Sequence, residues 1–201
     1  MGRNLRFGLY FIAVTVVMPR ESWAGRSQPP TVRVVIHDST SVAEPTLAEA
    51  REFSAVVFRV AGIEIDSVGD PPTCAAGGTA RAFCVQVLLR PHNQQFEPGN
   101  ARTMGVALAA DANRAVVSVF LDAVVDVARR FGQPVGMVLG IALAHEIGHV
   151  LLPPPSHSAS GIMRGSWEGD ALRHAIGGDI VFTDRQAALM RDRLNSRVPV
   201  P

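Results

Sequence analysis

The chain has 201 residues, with 19 basic and 18 acidic side chains and a formal net charge of +1. This length predicts one domain that is large enough to bury a core. The balanced charge gives no electrostatic reason to expect nucleic acid or a strongly acidic partner.

The N-terminus has the pattern of a signal peptide. Two arginines precede an almost wholly apolar run at 7–18, and small residues flank a tryptophan in "SWA" at 22–24, at the two positions that a signal peptidase reads. The apolar run is short for a membrane span, which needs about 20 residues. We therefore expect residues 1–24 to be a signal peptide and 25–201 to form a single secreted or periplasmic domain, without membrane contact after signal removal. Retention of the first segment as an anchor is the alternative.

Apolar periodicity and turn residues predict an alternation of strands and helices along the rest of the chain. Pro134 opens a long apolar helix, and Thr183 with Gln186 forms a capping box that starts the last helix. Because the strands come first and the main helices later, we predict an α+β fold in which a mixed sheet packs against helices. The predicted strands are 31–38, 63–68, 82–90, 103–109 and 115–121, and the predicted helices are 44–63, 122–131, 134–152 and 184–196.

The chain has two cysteines, Cys74 and Cys84, which flank a Gly-rich loop. Neither has a metal-ligand partner at short spacing, which argues against a thiolate metal site. Export makes a disulfide chemically permissible, so we predict that the two are bonded.

The long helix carries the pattern His-Glu-x-x-His. His145 and His149 are four residues apart, so they lie one above the other on the side of the helix that turns inward. Between Arg130 and Arg164 the only acidic or basic side chain besides histidine is Glu146. A carboxylate on a buried helix is costly without a partner, and a nearby divalent cation would remove that cost. The pattern therefore predicts two metal ligands and one general base that takes a proton from a metal-activated water.

A third ligand is expected soon after the helix. A triple proline at 153–155 ends the helix because proline lacks the N–H and clashes with the preceding turn. His157 then follows with enough chain to bring a third imidazole back to the ion. Met163 comes shortly after, where Gly161 allows a tight bend.

The stretch "HEIGHVLLPPPSHSASGIM" resembles the zinc-binding region of metzincin metallopeptidases, most of all the matrixin-like members. The resemblance implies a zincin-like α+β fold with a twisted mixed sheet, a long active-site helix and a C-terminal helix. It also implies a secreted zinc metalloendopeptidase that acts on peptides or proteins. One catalytic Zn²⁺ would be bound by His145, His149 and His157, with Glu146 as general base and Met163 in a Met-containing turn beneath the metal.

The sequence departs from the metzincin pattern in three ways. Leu152 stands where the family has glycine, the third histidine comes two residues later than usual with Pro155 in its place, and no tyrosine follows Tyr10. The missing tyrosine leaves the transition-state oxyanion to the zinc, with Arg164 and His174 as candidate helpers.

Two other functions remain open. The first is a gluzincin-type zinc hydrolase with Glu168 as third ligand, although Gly165 and Gly169 would weaken the helix that such a ligand needs. The second is an inactive zincin-fold binding protein, which would not need Glu146. For the peptidase, an extended substrate is expected to pair with a sheet edge, and the strand at 115–121 is the candidate.

Overall fold

The computed structural model describes residues 28–67, 74, 82–91, 103–110, 113–166, 172 and 180–196. The predicted signal peptide lies outside these residues, as do Glu168, Gly169 and His174. Within them, no helix is both long and apolar enough to cross a membrane. The described strands are β1 Thr31–Asp38, β2 Glu64–Ser67, β3 Phe83–Arg90, β4 Gly105–Ala110 and β5 Arg114–Phe120; the helices are α1 Glu44–Val60, α2 Leu121–Phe131, α3 Val135–Leu151 and α4 Asp184–Asn195.

The five strands form one mixed sheet in the order β2-β1-β3-β5-β4. The first four strands of this order run parallel, and β4 runs antiparallel to β5. Parallel neighbours need a crossover connection, which α1 supplies between β1 and β2. The predicted α+β class with a mixed sheet and helices is confirmed.

The strand at 115–121, which the sequence suggested as a substrate-binding edge, is not an edge, and that prediction is wrong. β5 has β3 on one side and β4 on the other, so both of its hydrogen-bonding sides are used. β4 and β5 form a hairpin, and the hairpin places the earlier strand outermost. Among the strands that the structure describes, the edge on this side of the sheet is therefore β4.

Helix α3 lies in the core, where it packs against α1, α2, β4 and β5. Of its 17 residues, all are buried except Val135, His145 and His149. A Cβ at Gly140 would lie 2.9 Å from the carbonyl oxygen of Ala50 in α1, so the glycine allows the two helices to approach closely. Beyond its first residue, the helix therefore reaches open space only at the two histidines.

The chain turns back after α3, and backbone hydrogen bonds attach it to itself and to the segment that precedes α4. The backbone N–H of Ser158 donates to the carbonyl of Met163 at 2.8 Å, and that of Ile162 donates to Val181 at 3.1 Å. Gly161 has a φ of +74°, a conformation that side-chain-bearing residues rarely adopt. The segment that follows the triple proline is therefore held by specific hydrogen bonds.

The predicted capping box at the start of α4 is confirmed, and it has a second role. The Thr183 hydroxyl accepts from the N–H of Gln186 at 3.3 Å, and the Thr183 N–H donates to the Gln186 side chain at 3.0 Å. The amide nitrogen of the same Gln186 side chain donates to the carbonyl of Ser156 at 3.3 Å and to the hydroxyl of Ser158 at 3.2 Å. The cap of the last helix thereby holds the loop that carries His157.

Cys74 and Cys84 are bonded, with their Cα atoms 5.8 Å apart, as the sequence predicted. The bridge attaches the residue at 74 to β3, next to the strand pairings of Cys84 with Arg33 and Arg114. Disulfides persist in oxidising compartments, so the bond fits an extracytoplasmic protein.

Candidate metal centre

The two histidines of α3 point the same ring nitrogen at a common position. The Nε2 atoms of His145 and His149 are 3.0 Å apart. The Nδ1–H of His145 donates to the carbonyl of Ile162 at 2.8 Å, and Nδ1 of His149 is hydrogen-bonded to the hydroxyl of Ser156 at 2.6 Å. Oxygen partners on the outer nitrogen are typical of metal-binding histidines because they orient the ring and leave the other nitrogen for the ion.

His157 completes the cluster from the loop after the triple proline. Its ring centroid lies 5.4 Å from that of His145 and 4.7 Å from that of His149. One nitrogen from each ring can be chosen so that all three lie within 4.8 Å of one another. A tetrahedral ion with metal–nitrogen bonds of about 2.0 Å spaces its ligands by about 3.3 Å, and the 3.0 Å between the Nε2 atoms of His145 and His149 is close to that spacing. The three side chains therefore fit a metal ion.

Burial keeps the two helical imidazoles neutral. Desolvation lowers the pKa of His145, and desolvation together with the neighbouring His145 and His157 rings lowers the pKa of His149 to about 4. Neutral imidazole is the form that binds a metal, so neither ring has to lose a proton at neutral pH before it can act as a ligand.

Glu146 is a buried acid beside these ligands. Its side chain is only 6% exposed, and desolvation raises its pKa to about 8. Within the described part of the chain it has no hydrogen bond or ion pair that would offset this cost. A cation next to it would favour the ionised carboxylate. The buried acid is therefore a second observation that fits a metal ion at the histidines.

Gly105, the first residue of the edge strand β4, makes room for Glu146. A Cβ at this position would lie 2.6 Å from Cγ and 2.8 Å from Cδ of Glu146. Gly105 is a site residue that the sequence alone did not reveal. The available signal was a glycine inside a predicted strand, which often marks a close approach by another group.

Met163 is fully buried beneath the histidine-bearing turn of α3. A Cβ at Gly148 would lie 2.5 Å from its sulfur, so the methionine packs directly against the helix one residue before His149. The neighbouring Ile162 supplies the carbonyl that orients His145. The turn that follows His157 therefore supports the site from below and also contacts one of its rings.

A cleft of about 780 Å³ opens over the three histidines and Glu146. Its walls come from residues 103–107 at the start of β4, from α2, from α3 and from the loop at 154–166. Arg164, a predicted oxyanion helper, lies in the lining. Glu168, the alternative third ligand, and His174 lie outside the described residues.

No protein-family model matches this chain, and no curated protein matches it. The function is therefore inferred from the residues of the site and from their geometry.

Proposed function

We propose that this protein is a zinc-dependent endopeptidase that hydrolyses peptide bonds in the cleft above His145, His149 and His157. The observation that carries the proposal is the convergence of three imidazoles from two separate segments beside one buried carboxyl group. A structural histidine cluster would not need that acid, whereas metal-assisted hydrolysis needs a base beside the ion. The resemblance of the motif to the metzincin zinc-binding region supports the same function.

Zinc is the ion that best suits the ligand set. Three neutral imidazoles are a common donor set of catalytic zinc sites, and they leave one coordination position open. A bound zinc ion would acidify a water molecule and polarise the carbonyl group of the scissile bond. Because all three ligands are neutral, the full double charge of the ion would remain available.

Glu146 is proposed as the general base. It follows His145 directly on α3, and successive helix positions point in different directions, so it can face the reacting water without acting as a ligand. Its carboxylate would accept the proton of the attacking water and pass it to the leaving amine. Contact with β4 at Gly105 holds the carboxyl group between the helix and the edge strand.

The edge strand β4 is the proposed guide for the substrate backbone. Residues 103–107 line the cleft, and β4 pairs with β5 on one side only among the described strands. An edge strand presents free N–H and C=O groups with which an extended peptide can pair. Pairing of this kind would lay the peptide across the histidines, next to Glu146.

Zinc analysis combined with cleavage of a mixed peptide library tests the proposal. The expected result is one zinc ion per chain and cleavage within peptides, both lost on chelation and restored by zinc. Zinc binding without cleavage would instead indicate an inactive binding protein. Loss of zinc on Glu168→Ala, with His157→Ala retaining it, would indicate the gluzincin-type site.

A further inference from the structure

Two arginines line the cleft, and the proposed reaction does not require both of them. Arg130 projects from α2, and Arg164 follows Met163 in the loop on another wall. Arg130 is exposed, and Arg164 is half-buried. The two guanidinium groups therefore belong to different walls of the same cleft.

The charges of the cleft are not balanced. Among the described residues that line it, Glu146 is the only acid, and it is buried against β4. Neither Arg130 nor Arg164 forms an ion pair with a described residue, whereas the adjacent Arg129 pairs with Asp126 at 3.6 Å and does not line the cleft. The lining thus has an excess of positive charge, which a bound zinc ion would increase.

The wall around Arg130 is otherwise apolar. Val127 and Phe131 stand beside it on the same face of α2, one turn before it and one residue after it. A charge next to low-dielectric walls acts more strongly on a ligand than one on an open surface. A guanidinium group also binds a carboxylate through two parallel hydrogen bonds, which adds geometric selectivity to the charge.

We propose that this cleft selects peptides that carry aspartate or glutamate close to the scissile bond, with Arg130 and Arg164 as the residues that bind the acidic side chains. The inference rests on the proposed peptidase function, whose substrate class it names. The same charges would repel lysine and arginine side chains at those positions, so discrimination should come from repulsion as well as attraction.

Matched peptides test this selectivity. Each set shares one sequence and differs only by Glu, Gln or Lys at a single position near the cleaved bond. An exposed guanidinium–carboxylate pair contributes up to about 1 kcal/mol, so the Glu peptide should be cleaved with a kcat/KM roughly fivefold above that of the Gln peptide. Arg130→Gln and Arg164→Gln should each remove the preference at one position, and added salt should reduce it.

Arg129→Gln is the matched control, because Arg129 is an exposed arginine of the same helix that does not line the cleft. Its Glu-to-Gln rate ratio should equal that of the wild type. A variant of Arg164 that lowers the rates of both peptides equally would indicate an oxyanion role. That result, or a wild-type protein without acidic preference, would overturn the inference.

Binding separates the inference from the proposed function. The same peptides are titrated into zinc-loaded Glu146→Gln protein, in which Arg130 and Arg164 remain and the proposed base is absent. Tighter binding of the Glu peptide supports the acidic preference even if the wild type cleaves no peptide, in which case only the peptidase function fails. Equal binding of the Glu, Gln and Lys peptides would overturn the preference.

Discussion

Gly105→Ala is a small change that should disable the proposed base without touching a metal ligand. The added methyl group would lie 2.6 Å from Cγ of Glu146 and 2.8 Å from the carbonyl oxygen of Ser118 in β5. Ordinary van der Waals contact begins at 3.4 Å. The methyl group cannot retreat, because the backbone of β5 lies on its other side. Either the carboxyl group of Glu146 or the edge strand must move by about 0.8 Å, the difference between 3.4 and 2.6 Å.

The size of this displacement sets the expected loss of activity. A misplacement of about 1 Å in a catalytic group costs about 100-fold in rate, which corresponds to about 2.7 kcal/mol in the activation barrier. We therefore expect kcat to fall by about 100-fold in Gly105→Ala. Zinc content should stay at the wild-type level, because the nitrogen ligands of His145 and His149 are held by Ile162 and Ser156 and not by β4.

Steady-state peptide hydrolysis, zinc analysis and thermal unfolding of one preparation check this prediction. Gly132→Ala is the control, since Gly132 has a φ of +63° and, apart from its own stretch of chain, no heavy atom of the described residues lies within 4 Å of its Cβ position. That substitution should destabilise the fold by about 1 kcal/mol through backbone strain and leave kcat unchanged. Wild-type activity in Gly105→Ala would refute the steric reasoning, and loss of its zinc would show that the whole site collapses.

Three further predictions concern the base, the third ligand and pH. Glu146→Gln should lower kcat by about 10²–10⁴-fold with zinc still bound, and loss of zinc would mean that the acid is a ligand. In zinc titrations, His157→Ala should lose most of the affinity while Glu168→Ala retains it, and the reverse would reject His157. Partial burial raises the pKa of Asp38, but hydrogen bonds from Thr40 and Val42 lower it more, leaving it below its usual value. Its stabilisation is therefore present above pH 4 and lost as pH falls through the lowered pKa. Asp38→Asn should cost about 1 kcal/mol at pH 7 and nothing in acid, and a pH-independent difference would contradict the ionic origin.

Local features of the sequence predicted much of the site. The spacing of His145 and His149 determines their common side of a helix, because the helical period is a property of the backbone alone. The sequence also predicts the capping box at Thr183 and the bond between Cys74 and Cys84, since each depends on residue type and short spacing. The prediction of His157 as third ligand depended on the proline run, which forces the chain to turn.

The order of the strands was decided only by the tertiary structure. Alternation of apolar residues identifies a strand but not its neighbours, so the sequence predicts an edge at β5, whereas the outer strand is β4. Gly105 lies next to Glu146 although the two are 41 positions apart in the sequence. Arg130 of α2 and Arg164 of the loop after α3 line the same cleft. Such contacts arise when helices pack on a sheet, and no local period encodes them. The sequence by itself therefore determined which groups perform the proposed chemistry, whereas the packing of α2, α3 and β4 decided what surrounds them.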